Sequence, residues 1–69
     1  MAEASVARIT EISAKSTESF EDAIRAGLHR AQKTLRNVTS AWIKEQRVGI
    51  HNGSLNYQVN MEVTFVLDE

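Results

Sequence analysis

The sequence predicts a small α+β protein in which one strand, one helix and two further strands follow one another along the chain. Three patterns support this prediction. β-Branched residues open the chain, apolar residues then recur every three or four positions, and the last third alternates between apolar and polar residues. The chain has 69 residues, so we expect one domain, 1–69. A domain this small buries only about 60% of its unfolded surface, which makes self-association the expected source of additional stability.

The composition disfavours several classes of protein. The chain contains no cysteine, which excludes disulfides, thiolate metal sites and thiol redox chemistry. His29 and His51 stand far apart in the sequence, so we expect no zinc cluster and no bound metal. Eight Lys and Arg against nine Asp and Glu give a net charge of −1, so nucleic acid is not an expected partner.

Motif patterns point to binding rather than catalysis. We find no glycine-rich phosphate loop, no nucleophile elbow and no paired-carboxylate motif in the sequence, so we do not expect an enzyme. No apolar run has the length of a membrane span, and the first residues lack the pattern of a signal peptide. The expectation is a cytoplasmic protein without a membrane partner.

The first strand and the helix are predicted from local patterns. β-Branched residues between Ser5 and Ser13 indicate a short strand. Ser19, followed three residues later by Asp22, predicts the start of the helix, and Asn37 is the expected left-handed C-cap. The apolar stripe of this helix consists of Phe20, Ala23, Ile24, Gly27, Leu28, Ala31 and Leu35. The glycine in this stripe is expected to let the helix lie close to the sheet.

The last third of the sequence predicts a β-hairpin. One strand runs from about Ser40 to Ile50, and a second runs from Ser54 to Asp68 with strict alternation of apolar and polar residues. His51-Asn52-Gly53 lies between them, and an Asn-Gly pair is a strong signal for a hairpin turn.

Two registers of this hairpin are compatible with the sequence. A two-residue Asn52-Gly53 turn puts Trp42 opposite Val63, on the face that the helix covers. A three-residue loop that also includes His51 puts Trp42 opposite Glu62 instead. We prefer the three-residue loop, because a slip of one residue moves every side chain to the other face and this loop gives each face a uniform character.

The preferred register also assigns the other residues of the second strand to faces. It gathers one polar set on the face that the helix leaves open: Ser40, Trp42, Lys44, Gln46, Gln58, Asn60, Glu62 and Thr64. It pairs Gln46 directly with Gln58. It puts Glu45 and Arg47 on the apolar-facing side, where a structural ion pair is the expected role.

Trp42 is the unusual residue of this polar face. An exposed indole offers a flat, electron-rich surface on which a planar ligand stacks. The amides of Gln46 and Gln58 both donate and accept hydrogen bonds, which suits a ring edge that carries carbonyl and N–H groups. Tryptophan is also enriched at subunit interfaces. A ligand platform and an interface therefore remain alternatives at this point, and the two are compatible.

The order and spacing of five segments resemble the dodecins, small flavin-binding proteins of bacteria and archaea. Two of these segments lie in the helix, one in the second strand and two in the third. They are Ser19–Ile24, Arg30–Arg36, Lys44-Glu45, Tyr57–Val59 and Val63–Asp68.

This resemblance implies a β-α-β-β subunit with a three-stranded antiparallel sheet wrapped around one helix, assembled into a hollow homododecamer. It implies riboflavin or FMN as the bound cofactor, held in pockets shared between subunits. The isoalloxazine rings stack on tryptophan, which quenches them and protects against photodamage, and the implied role is flavin storage. The alternative is a flavin-free dodecin-like shell in which Glu45, Asn60 and Glu62 offer oxygen ligands to calcium.

The resemblance also implies the flavin-binding residues. Gln58 corresponds to a glutamine at the ring edge, and Arg47 to an arginine near the flavin side chain. The family's stacking tryptophan falls on Ser40, whereas this chain carries Trp42 on the same strand face, ~6.6 Å further along. With Gln46, these residues form the expected binding set.

Overall fold

The computed structural model describes residues 4–67 as one three-stranded sheet packed against one helix. The elements are β1 (Ala7–Ser16), α1 (Phe20–Thr34), β2 (Val38–His51) and β3 (Ser54–Val66). β3 lies in the middle of the sheet and pairs antiparallel with both β1 and β2. The predicted β-α-β-β fold is therefore confirmed.

Several strand boundaries differ from the prediction. β1 begins at Ala7 and continues beyond Ser13 to Ser16, because its last three residues also pair with β3. β2 begins at Val38, two residues earlier than expected, and Val38 pairs with β3. The predicted last residue of the third strand, Asp68, lies outside the described residues.

The start of the helix is fixed by hydrogen bonds that involve the side chains of two serines. The Ser19 hydroxyl accepts a hydrogen bond from the Asp22 backbone N–H at 3.0 Å, which confirms the predicted N-cap. The Asp22 carboxylate accepts from the Ser16 hydroxyl at 2.6 Å, so it ties the helix to the end of β1. At the other end, the predicted C-cap was wrong, because the helix ends at Thr34 and Leu35 is the C-cap, with extended backbone. Asn37 does adopt the predicted left-handed conformation (φ 61°), two residues further on in the turn towards β2.

The core lies between the helix and the central strand. The buried residues are Ala23, Gly27 and Ala31 of the helix, and Val59, Met61 and Val63 of β3. A Cβ atom on Gly27 would lie 2.5 Å from the Met61 Cε and 3.1 Å from the Ala14 Cβ. The close approach predicted from the glycine is therefore confirmed.

The hairpin turn contains two residues, not the predicted three. His51 pairs with Ser54, and both Asn52 (φ 50°) and Gly53 (φ 81°) are left-handed, as a type I′ turn requires. The prediction of a three-residue loop was wrong because asparagine, like glycine, tolerates this conformation. The type I′ turn also matches the twist of the two strands.

A β-bulge at Lys44 reconciles this turn with the packing of the helix. Between the turn and Glu45, which pairs with Asn60, β2 follows the register of the two-residue turn. On the other side of Lys44, from Ile43 back to Ser40, the register is shifted by one residue, so that Trp42 pairs with Glu62. The predicted partner of Trp42 is therefore confirmed, although the turn that led to the prediction was wrong.

The bulge reverses the predicted faces of the residues between it and the turn. Gln46 pairs with Val59, so it lies on the helix side and not beside Trp42. Arg47 pairs with Gln58, so Arg47 and Glu45 lie on the sheet face that points away from the helix. The predicted Gln46–Gln58 pair and the predicted apolar-side position of Glu45 and Arg47 were wrong. The prediction assumed one uninterrupted alternation along the strand.

The hairpin extends past the first turn of the helix. The Phe20 ring packs edge-on against Tyr57 at a centroid distance of 5.1 Å, and this contact marks where coverage by the helix begins. Nearer the turn, three apolar side chains are exposed on the helix side. They form the hairpin tip patch, Val48, Ile50 and Leu55.

We expect Gly27→Ala to destabilise the fold, although alanine favours a helix by about 1 kcal/mol over glycine. The new methyl group would overlap the Met61 side chain, which is fully buried. Overpacking a core costs about 1–3 kcal/mol, so a net loss of about 1 kcal/mol should appear in chemical denaturation at a fixed protein concentration.

Gly49→Ala is the matched control for this substitution. Its new Cβ would meet Asn56 at an ordinary contact distance of 3.8 Å, so its unfolding free energy should change by less than about 0.5 kcal/mol. If Gly27→Ala is as stable as the unsubstituted protein, the helix does not need the close approach seen here.

Candidate functional site

The sheet face that points away from the helix carries a row of polar side chains around one exposed tryptophan. We call it the outer face. Its central residues, from β3, are Gln58, Asn60, Glu62 and Thr64. Trp42 pairs with Glu62 and is 72% exposed in the single chain. An indole so exposed is available to a ligand or to a neighbouring subunit.

The structure brings four of the five predicted binding residues onto this face. Ser40 pairs with Thr64, two residues along β2 from Trp42, and Arg47 pairs with Gln58. Gln46 is the exception, because the bulge places it on the helix side. Ser40 and Trp42 share one face, so the strand offers two successive positions for an aromatic platform.

A chain of hydrogen bonds crosses the outer face and was not predicted from the sequence. The Gln58 Nε2 donates to the Ser13 Oγ at 2.9 Å and to the Asn60 Oδ1 at 3.3 Å. The Asn60 Nδ2 in turn donates to the Glu45 Oε1 at 3.1 Å. We call these four residues the amide relay. Glu45 joins it because the bulge turns its side chain to the outer face.

The row that contains Trp42 also carries three charged groups. Glu11 and Glu62 pair across β1 and β3, which sets two like charges opposite each other. The Lys44 Nζ lies 3.5 Å from the Glu11 Oε2 and 4.0 Å from the Glu62 Oε2. The bulged lysine therefore offsets the repulsion between the two carboxylates beside the indole.

The carboxylates of this face are not grouped as a metal site within the described part of the chain. Among residues 4–67, no group of three or more histidine, aspartate or glutamate side chains is arranged to hold a metal ion. Asn60 and Glu45 are hydrogen-bonded to each other, and Glu62 adjoins the Lys44 ammonium group. Within the same residues, no helix is both long and apolar enough to span a membrane.

The fold and the outer face define a small α+β protein with an exposed tryptophan on the open face of its sheet. The family model for dodecin matches residues 6–68. The chain therefore belongs to the dodecin family, as the resemblance in its sequence implied.

Individual dodecins are similar over almost the whole chain. A Thermus thermophilus dodecin is 45% identical over 60 residues, which are 86% of this chain and 87% of that protein. The structure of a Streptomyces davaonensis dodecin is 37% identical with a TM-score of 0.92, and the match covers 97% of this chain and 100% of that one. A calcium dodecin from Mycobacterium tuberculosis, described as calcium-chelating with a novel calcium-binding site, is 26% identical with a TM-score of 0.84, and the match covers 93% of each chain.

We expect Lys44→Met to destabilise the protein by about 0.5–1 kcal/mol at low salt, because Glu11 and Glu62 would then face each other without a nearby cation. The loss should shrink in 1 M NaCl, where a Debye length of about 3 Å screens the repulsion. Denaturation at the two salt concentrations measures both effects.

Lys15→Met is the control on the same face. Lys15 pairs with Gln58, and within residues 4–67 no carboxylate lies within 4.0 Å of its ammonium group. This variant should show no salt-dependent loss. An equal, salt-independent loss in both variants would contradict the electrostatic role of Lys44.

Proposed function

We propose that this protein binds and stores riboflavin or FMN without catalysing a reaction. The isoalloxazine ring stacks on Trp42 at the outer face, and the indole quenches its excited state. The observation that carries the proposal is the exposed indole on a face that also presents Gln58 and Arg47. Membership of the dodecin family supports flavin as the class of ligand.

The position of Trp42 is compatible with stacking. A shift of two residues from Ser40 moves the indole ~6.6 Å along β2 and keeps it on the same face. A flavin has three fused rings and is longer than this shift. Aromatic rings also prefer offset stacking to full overlap. A flavin in the family's pocket therefore remains within reach of Trp42, with a different part of the ring system above the indole.

Two neighbouring residues supply the polar contacts. Gln58 presents an amide to the edge of the ring, and the directly opposite residue is Arg47. A guanidinium binds phosphate through paired, charge-assisted hydrogen bonds. Arg47 therefore suits the ribityl phosphate of FMN, and Gln58 suits the ring that riboflavin and FMN share.

The proposal includes assembly into a homododecamer in the cytoplasm. Two apolar surfaces of the single chain support self-association. One is the hairpin tip patch, where Ile50 is 75% exposed. The other is a groove of ≈ 500 Å³ between the helix and β1, lined by residues that include Ile12, Ala14 and Ala31. Burying such apolar surfaces stabilises a protein by about 25 cal/mol per Å². A 69-residue domain has a small core and needs this additional stabilisation.

A flavin-free shell that binds calcium is the second candidate. The similar calcium dodecin of Mycobacterium tuberculosis favours it, and the outer face carries carboxylates of Glu11, Glu45 and Glu62. Calcium prefers six to eight oxygen ligands. Such a site would have to combine carboxylates from several subunits. Calorimetric titration with CaCl₂, in protein freed of flavin, separates this candidate from the first.

Trp42→Ala should weaken riboflavin binding by about 1–3 kcal/mol, the range for stacking a base on an aromatic side chain. The loss of the indole should also remove most of the quenching of flavin fluorescence. A fluorescence titration measures both quantities, and light scattering checks that the assembly is unchanged. Unchanged affinity and quenching would show that Trp42 is not the stacking residue.

Two further variants sharpen this test. Val6→Ala removes another exposed apolar side chain, and Val6 lies just before β1, outside the strand pairs of the outer face. We expect this control to bind riboflavin with less than about a three-fold change. Adding Ser40→Trp to the Trp42→Ala protein returns an indole to the same face and should restore both binding and quenching.

A further inference from the structure

We propose that Glu45 is a positioning residue that makes the flavin site specific for a hydrogen-bond donor on the ring edge. Glu45 acts through Asn60 to fix which end of the Gln58 amide is presented to the ligand. The inference rests on the proposed flavin-binding function and deepens it, because it names the group of the ring that Gln58 recognises.

The first step is the orientation of Asn60. An ionised carboxylate only accepts hydrogen bonds, whereas an amide side chain presents either a donor or an acceptor. The Glu45 Oε1 lies 3.1 Å from the Asn60 side chain, so the Asn60 NH₂ group must point towards Glu45. The Asn60 Oδ1 then points away from Glu45, towards β1 and Gln58.

The second step is the orientation of Gln58. Since the Asn60 Oδ1 is an acceptor, the Gln58 atom 3.3 Å from it must be the donor Nε2. The other hydrogen of this nitrogen is directed to the Ser13 Oγ at 2.9 Å. A hydroxyl accepts or donates as its neighbour requires, so Ser13 adapts to this arrangement. Both N–H groups of Gln58 are thereby used within the amide relay.

The consequence is that Gln58 offers a ligand its carbonyl oxygen. Within residues 4–67, the Gln58 Oε1 has no hydrogen-bond partner. The pyrimidine edge of an isoalloxazine carries one N–H group, at N3, between two carbonyl groups. An acceptor binds the N3–H, whereas a donor would bind a neighbouring carbonyl. A free amide side chain can either donate or accept a hydrogen bond. The relay leaves Gln58 with only its acceptor for the ligand, and this acceptor selects the N3–H group.

The experiment compares riboflavin with 3-methylriboflavin, in which a methyl group replaces the N3 hydrogen. Fluorescence titration of the unsubstituted protein should show a preference of about three- to ten-fold for riboflavin, the effect of one hydrogen bond. In Glu45→Gln, the new amide no longer dictates the orientation of Asn60. Gln58 can then turn its NH₂ group to a flavin carbonyl, and the preference should fall by at least about two-fold relative to the unsubstituted protein. The steric effect of the methyl group is the same in both proteins.

Two variants test the path through Asn60 and the effect of charge. Asn60→Ala should lower the preference as Glu45→Gln does, and the double variant should lower it no further, because both substitutions break one relay. Glu11→Gln removes a carboxylate from the same face without touching the relay and should keep the full preference. Light scattering shows whether each variant is assembled.

The possible results distinguish a failure of this inference from a failure of the proposed flavin-binding function. If the unsubstituted protein prefers riboflavin and both Glu45→Gln and Asn60→Ala keep that preference, the role of Glu45 is wrong and flavin binding stands. If the unsubstituted protein binds riboflavin and 3-methylriboflavin equally, the assignment of Gln58 as an N3–H acceptor is wrong. If it binds neither compound, the proposed function itself fails.

Discussion

The bulge at Lys44 is the constraint on which the rest of the structure depends. The Asn52-Gly53 turn fixes one register near the tip of the hairpin, and the helix requires the other register, in which Ile43 lies opposite the buried Met61. One unpaired residue satisfies both demands. Bulges also bend a strand and increase its twist, which helps a sheet to curve around a helix. Without this bulge, Trp42 and the two residues Glu45 and Arg47 would lie on opposite faces. The position of Trp42, Glu45 and Arg47 on one common face therefore follows from the bulge at Lys44.

The helix covers only one side of the sheet, so the other side of this small chain is left open. The helix packs on one face, where small residues let it approach Met61 and Ala14 closely. The outer face is then available for polar chemistry, and its hydrogen bonds run between side chains of all three strands. Burial on one face leaves the domain with a limited core. The proposed assembly of several copies of the chain would bury further apolar surface and offset this limited core.

The sequence was sufficient to predict the elements in which apolar residues recur at one constant spacing. The helix stripe, the Ser19 cap and the alternation of β3 are each confirmed by the structure. β2 does not follow one period, and its apolar residues show this: Ala41 and Ile43 have odd numbers, whereas Val48 and Ile50 have even numbers. This change of parity between residues 43 and 48 was the available signal of a bulge. A prediction with one uninterrupted alternation puts Gln46 on the wrong face and keeps Glu45 away from Asn60, so it does not contain the amide relay.

The central claim is that the outer face of this dodecin is a flavin platform built on Trp42, and titration of purified, flavin-free protein with riboflavin tests it most directly. Flavin fluorescence reports stacking, because an indole in contact with the ring quenches it. We predict strong quenching that saturates near one flavin per subunit, despite the displacement of the tryptophan from position 40. Full flavin fluorescence at saturating protein would contradict the claim and would make the flavin-free shell the leading interpretation.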